Sequence, residues 1–100
     1  MERILKVETT LPQRSFKAKN QRGETETVTA VGIILTNGAD TFYLEGYREV
    51  CKKITEEVHE GDLVSARFTS DVRKRTTETG EFYSNTLVLQ GITVLVKNAF

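Results

Sequence analysis

Glu60-Gly61-Asp62-Leu63-Val64, followed by Arg73-Lys74-Arg75, Thr79-Gly80 and Tyr83-Ser84-Asn85-Thr86-Leu87, is the stretch whose reading decides the fold. Glu60-Gly61-Asp62 is a turn signal. After it Val64, Ala66, Phe68 and Val72 alternate with Ser65, Arg67, Thr69 and Asp71, the period of a strand with the first set turned inward. A partner strand starts near Glu81 and continues to Val96, with a bend expected at Gly91. Together they read as a β-hairpin with a basic tip and aromatics on its flanks. That combination suits a grip on a nucleic-acid strand and points to a binding module rather than an enzyme.

Upstream of this hairpin, period-two patterning also dominates. Ile4, Lys6 and Glu8 alternate with Leu5, Val7 and Thr9 in a first strand that stops at Leu11-Pro12, because proline cannot donate to a ladder. Residues 13–23 are polar and read as a long loop with a short extended piece around Phe16. A second strand runs from about Thr25 to Thr36, and Gly32 inside it implies a bulge or a sharp bend. Asn37-Gly38 is the strongest short hairpin signal, and a third strand of about Thr41 to Glu45 follows. From Tyr47 to about Glu57 the period changes to that of an amphipathic helix, with Val50 and Ile54 on its apolar stripe, extended by Tyr47 and Val58. The fold class is therefore all-β: five strands, with one helix between the third and fourth, the order of an OB-fold Greek-key barrel.

One hundred residues allow a single domain, 1–100, with one modest core. A composition of 38% apolar and 28% charged residues excludes wholesale disorder. The N-terminus lacks the apolar core of about 7–15 residues that a secretory signal needs, and no stretch approaches the roughly 20 apolar residues of a membrane span. A cytoplasmic location without membrane association is the expectation. Cys51 is the only cysteine and His59 the only histidine, so no disulfide, cysteine metal cluster or Cys-His pairing is on offer. Glu56 and Glu57 are helix neighbours about 100° apart, which suits a solvated helix end better than acid/base work. No enzyme, cofactor or metal is expected.

Fourteen basic residues balance fourteen acidic ones, so distribution has to carry any argument for nucleic acid. Arg14, Lys17, Lys19 and Arg22 occur with no acid among them, and Arg73, Lys74 and Arg75 form a second cluster. The acids gather elsewhere, at Glu24, Glu26, Glu45, Glu49, Glu56, Glu57, Glu60 and Asp62. Such segregation gives a neutral chain one basic face, to which phosphates respond. The competing reading is two ordinary solvated loops.

The run Thr41 to Glu49, the Gly61-Asp62 turn, Arg73-Lys74-Arg75-Thr76 with Thr79-Gly80, and Tyr83 with Leu87 to Leu95 resemble bacterial single-stranded DNA-binding protein. The resemblance covers about the last 60 residues in register. The first 40 match only in strand order. Tyr47 stands for that family's aromatic before the helix, Gly61-Asp62 for its turn, and Arg73-Lys74 for its hairpin tip. Arg75 and Thr41 occupy positions where tryptophan is common in the family, and this chain has no tryptophan. No Gly/Pro-rich tail with an acidic end follows Phe100, so acidic-tail recruitment of other replication proteins is not expected. A primosomal replication protein, a short tailless relative, is similar too. The resemblance implies an OB-fold that binds single-stranded DNA with little sequence preference in replication, recombination or repair, as a homodimer or homotetramer. RNA is left open as a second ligand.

The candidate contacts are Arg14, Phe16, Lys17, Lys19, Arg22, Tyr43, Tyr47, Arg67, Arg73, Lys74, Arg75 and Phe82. Cations follow the phosphates while flat groups stack on bases, and Arg75 in place of an aromatic can do both. If Phe42 and Leu44 face the core, Tyr43 faces away, either as a stacking platform or as a cross-strand or subunit contact. Tyr47 either stacks on a base or packs against the helix as a plug. Phe82 and Tyr83 point to opposite faces, at most one of them core, with Phe82 assigned to the hairpin flank and Tyr83 to an interface. Phe68 is core, and Phe16 in its basic loop is a base-stacking candidate. Arg67 either extends the basic path or pairs with an acid. The alternative function is an OB-fold used for protein interaction or assembly without nucleic acid, since fold does not specify function.

Overall fold

Short apolar strands that alternate in and out bury their inward sets only by curling against one another. In a computed structural model of the chain, which describes residues 2–97 apart from the side chain of Arg73, they do so as a closed ring. Seven elements follow in order: β1 (Glu2–Thr10), β2 (Arg14–Lys19), β3 (Thr25–Thr36), β4 (Thr41–Tyr47), α1 (Glu49–Glu57), β5 (Leu63–Thr77) and β6 (Gly80–Val96). The sheet order is β1-β5-β6-β4-β3-β2, and an additional β1–β3 pairing closes the barrel. Five strands form the ring, with one helix between β4 and β5. This is the OB-fold expected from the sequence.

β3 makes closure possible because one of its edges serves two partners. Thr25 to Ala30 pair with β2, whereas Ile33 to Thr36 pair with β1. At the handover the Leu11 N–H donates to the Gly32 carbonyl at 2.9 Å. The β3–β4 ladder runs unbroken from Ala30↔Tyr47 to Thr36↔Thr41, so Gly32 is not the expected bulge in that ladder. Register shifts fall instead in β1, between Val7 and Thr9, and in the β5–β6 ladder, where Arg67 faces Gly91 but Phe68 faces Leu89. The bend anticipated at Gly91 is thus a one-residue bulge at Gln90 within a continuous strand.

The core matches the inward sets of the alternation. Leu5, Ile33, Leu44, Val64, Phe68 and Leu89 are buried inside the ring, with Ile54 of α1 capping one end. Phe68 is 1% exposed. Gly46 lets α1 approach, since a Cβ there would lie 2.9 Å from Ile54 Cδ1 and 3.0 Å from Val50 Cγ1. The helix starts at Glu49, two residues after Tyr47, because Arg48 takes a left-handed φ of 55° as the chain turns out of β4. Its buried residues are Cys51 and Ile54, each 1% exposed.

The Gly-acid turn ties the first strand to the fifth. Gly61, at φ 89°, donates its N–H to the Val7 carbonyl at 2.9 Å, and Val7 donates to the Asp62 carbonyl at 2.8 Å. The buried Asp62 carboxylate accepts the His59 N–H at 2.9 Å. Asn37-Gly38 opens a four-residue connection in which Asn37 Oδ1 accepts the N–H groups of Ala39 and Asp40.

Two further expectations are corrected. The extended piece around Phe16 is longer than expected: residues 14–19 form β2, paired in register with β3 from Arg14↔Ala30 to Lys19↔Thr25. Val72 keeps the inward parity of Phe68 but is 60% exposed, because β5 and β6 continue past the end of the barrel as a free hairpin that no described residue covers on that side. This projection stretches the molecule to 47 Å along its longest axis, against 32 and 23 Å on the others.

Candidate nucleic-acid interface

Residues opposite one another in a ladder share a face, so the registers show which side chains lie together outside the barrel. Arg14 and Phe16 of β2 sit opposite Ala30 and Val28 of β3, and Ala30 in turn lies opposite Tyr47 of β4. Tyr43 and Glu45 follow on the same face at steps of two. The β4–β6 pairing carries the face onward through Glu45↔Val88 to Thr86, Ser84 and Phe82, with Arg75 opposite Phe82. One surface therefore runs from β2 across the barrel to the hairpin tip.

The aromatics on this surface rest on small residues. Tyr43 is 46% exposed and lies against Gly32, where a Cβ would meet its Cε2 and Oη at 2.8 Å. Tyr47 neither plugs the barrel nor joins its core: it packs edge-on against Phe16, with ring centroids 6.2 Å apart and planes at 89°. Phe16 and Tyr47 thereby cover Val28 and Ala30, which are buried outside the main core. Phe82 is 54% exposed on the hairpin. Tyr83 is exposed on the opposite face, so neither hairpin aromatic is core.

Glu45 stands at the centre and was not among the residues singled out from sequence. Its carboxylate is ion-paired to Arg14 (Nη2 to Oε1, 3.2 Å) and accepts from the Tyr47 hydroxyl and, at 3.4 Å, from that of Tyr43. Partial burial opposes the charge on Arg14. Glu45 and the two tyrosines more than offset this, so the guanidinium is held above its ordinary pKa. The signal for Glu45 was present, since it lies two residues from each tyrosine and so must share their face.

The remaining predicted residues divide. Arg67 lies on the outer face with its guanidinium over Gly91, and it is exposed. Lys17 and Lys19 alternate to the other side of β2, opposite Thr27 and Thr25. Arg22 sits in the β2–β3 turn, which is braced by Asn20 Oδ1 accepting the N–H groups of Arg22 and Glu24. Beside that turn Arg48, also missed from sequence, is ion-paired to Glu26. Lys74 is on the second hairpin face, opposite Tyr83 and bonded to Glu81 at 3.1 Å. The backbone of Arg73 pairs with Ser84, and its side chain lies outside the described residues.

β4 and β6 pair only at Leu44↔Leu87 and Glu45↔Val88. Beyond these two residues the strands leave a groove of about 410 Å³, lined by Phe42, Tyr43, Glu45, Asn85 and Thr86 among others. Among the described residues no three His, Cys, Asp or Glu side chains are placed to hold a metal ion, and no helix is long and apolar enough to cross a membrane.

No protein-family model matches the chain, and no curated protein sequence matches it. Its fold is similar to that of the mitochondrial single-stranded DNA-binding protein Rim1 from S. cerevisiae, with a TM-score of 0.62 and 13% identity over 96% of this chain and 91% of that one. A selenomethionine-labelled crystal of the same yeast protein gives a TM-score of 0.56 and 14% identity over 96% and 93% of the two chains. At this identity the likeness establishes the fold.

Proposed function

We propose that this OB-fold binds single-stranded DNA with little sequence preference, without catalysis, by stacking bases on its outer-face aromatics while nearby cations follow the phosphates. The observation that carries the reading is the continuity of that face. Phe16, Tyr47, Tyr43 and Phe82 lie along it, with Arg14, Arg67 and Arg75 on the same side. Stacks of this kind contribute about 1–3 kcal/mol per base and tolerate any base, because every base has a π-face. The likeness to a yeast mitochondrial single-stranded DNA-binding protein supports the same reading, as does the resemblance of the hairpin and its turn to the bacterial family. A role in replication, recombination or repair follows from it as part of the proposal.

The test is fluorescence anisotropy with labelled oligo-dT at low and high salt. If about four cations meet phosphates, the log–log salt slope is roughly −3, near −0.7 per neutralised charge. Absence of salt-dependent binding at micromolar protein sinks the proposal and favours the assembly-module reading. We also propose self-association as a homodimer or homotetramer, supported by Val72 and Tyr83, which one copy leaves uncovered on the second hairpin face. Light scattering decides it.

A further inference from the structure

We infer that Glu45 makes this surface discriminate among bases, favouring cytosine over thymine at the position stacked on Tyr43. The inference rests on the single-stranded DNA reading and refines it, because stacking supplies most of the affinity and Glu45 adds a modest preference.

A carboxylate is an unusual neighbour for a surface meant to meet a polyanion. Here it is built in. Glu45 lies largely covered between Tyr43 and Tyr47, its side chain 14% exposed, and is held by Arg14 at 3.2 Å and by the Tyr47 hydroxyl. Two residues along a strand span about 6.6 Å, so a base lying on the exposed face of Tyr43 brings one polar edge to Glu45. The groove between β4 and β6 is bordered by both residues and offers that base a seat.

An ionised carboxylate only accepts hydrogen bonds. Cytosine presents a donor, its N4 amino group, where thymine presents the O4 acceptor. Facing Glu45, the first makes a charge-assisted hydrogen bond and the second sets two oxygens against each other. The Tyr43 hydroxyl, at 3.4 Å, is the long partner of Glu45, and the amino group takes its place. Arg14 meanwhile fixes the carboxylate, so the discrimination does not depend on a mobile side chain.

The experiment measures anisotropy with labelled oligo-dC, oligo-dT and oligo-dU of about 16 nucleotides, the upper end of site sizes for one such fold, on the wild type and on Glu45→Gln. The wild type is expected to bind oligo-dC about fivefold or more tightly than oligo-dT, with oligo-dU close to oligo-dT. Glu45→Gln, whose amide both donates and accepts, brings the dC/dT ratio near one, chiefly by strengthening oligo-dT. Equal affinities in the wild type, a ratio that survives Glu45→Gln, or oligo-dU behaving like oligo-dC overturns the inference while leaving the single-stranded DNA reading intact. If none of the three oligomers binds, it is that reading which fails. Circular dichroism melts of the isosteric variant separate a lost ratio from lost folding.

Discussion

Gly32→Ala separates the outer surface from the barrel that supports it. The backbone there is ordinary extended strand, so alanine fits the chain. Its methyl does not fit the neighbours: Tyr43 Cε2 and Oη would lie at 2.8 Å and Leu11 Cδ1 at 2.9 Å. Carbon atoms settle at about 3.5–4.0 Å, so the Tyr43 ring must retreat by about 0.7 Å or more. Both obstructing groups are ends of exposed side chains, which move at little cost. Alanine also recovers about 0.5–1 kcal/mol that glycine forfeits inside a strand. Stability should therefore change by less than about 1 kcal/mol, a few degrees in Tm. Displacing the Tyr43 platform should instead remove one stack of about 1–3 kcal/mol, weakening oligonucleotide binding by about five- to 150-fold. The assays are a thermal melt and an anisotropy titration, repeated in a Tyr43→Ala background. There Gly32→Ala should add less than about 0.5 kcal/mol, because both changes remove the same contact. Unchanged affinity in Gly32→Ala refutes Tyr43 as a platform, and a loss of several kcal/mol in stability refutes the claim that the glycine serves the surface rather than the fold.

Three further outcomes follow from the placement of other residues. Arg75→Ala should reduce the magnitude of the salt slope by about 0.7 while Lys74→Ala, on the other hairpin face and paired with Glu81, should leave affinity within about twofold; equal effects in titrations at several salt concentrations would refute the face assignment. Phe82→Ala should weaken binding by about 1–3 kcal/mol yet change the urea midpoint very little, since the ring is more than half exposed on a free hairpin. Phe68→Ala should cost about 3–5 kcal/mol, because its ring is sealed in the core, and a chemical denaturation curve close to wild type would contradict that burial.

Alternation made much of the barrel readable in advance. Leu5 and Val7, Ile33 and Leu35, and Val64, Ala66 and Phe68 sit where a period of two places them. It also misled at Val72, because periodicity reports which face a side chain takes and not whether anything packs against that face. β2 is legible only as a short extended piece around Phe16, for a related reason. Arg14, Phe16 and Ala18 do alternate with Ser15, Lys17 and Lys19, but the segment is mostly polar because it stays nearly all exposed, with Phe16 edge-on to Tyr47 on its outer face. A loop reading keeps the basic cluster together, whereas a strand sends Arg14 to one side and Lys17 and Lys19 to the other. Glu45 is not legible from charge, because its sign argues against a phosphate-facing surface, although strand geometry places it between the two tyrosines.

The pairing of β1 with both β3 and β5 orders events during synthesis. Phe16 belongs to β2 and Tyr43 and Tyr47 to β4, and β2, β3 and β4 are consecutive strands joined by short turns that can zip within microseconds of emerging from the ribosome. Leu5 waits for Val64, about 60 residues later, which at about 5–20 residues per second is a delay of several seconds. Until then the inner faces of β3 and β4 stand open, and β1 has only its β3 partner, Ile33 to Thr36, to pair with. The aromatic surface is thus assembled on a half-built barrel, and the slow, long-range step is the one that seals the apolar interior from other nascent chains.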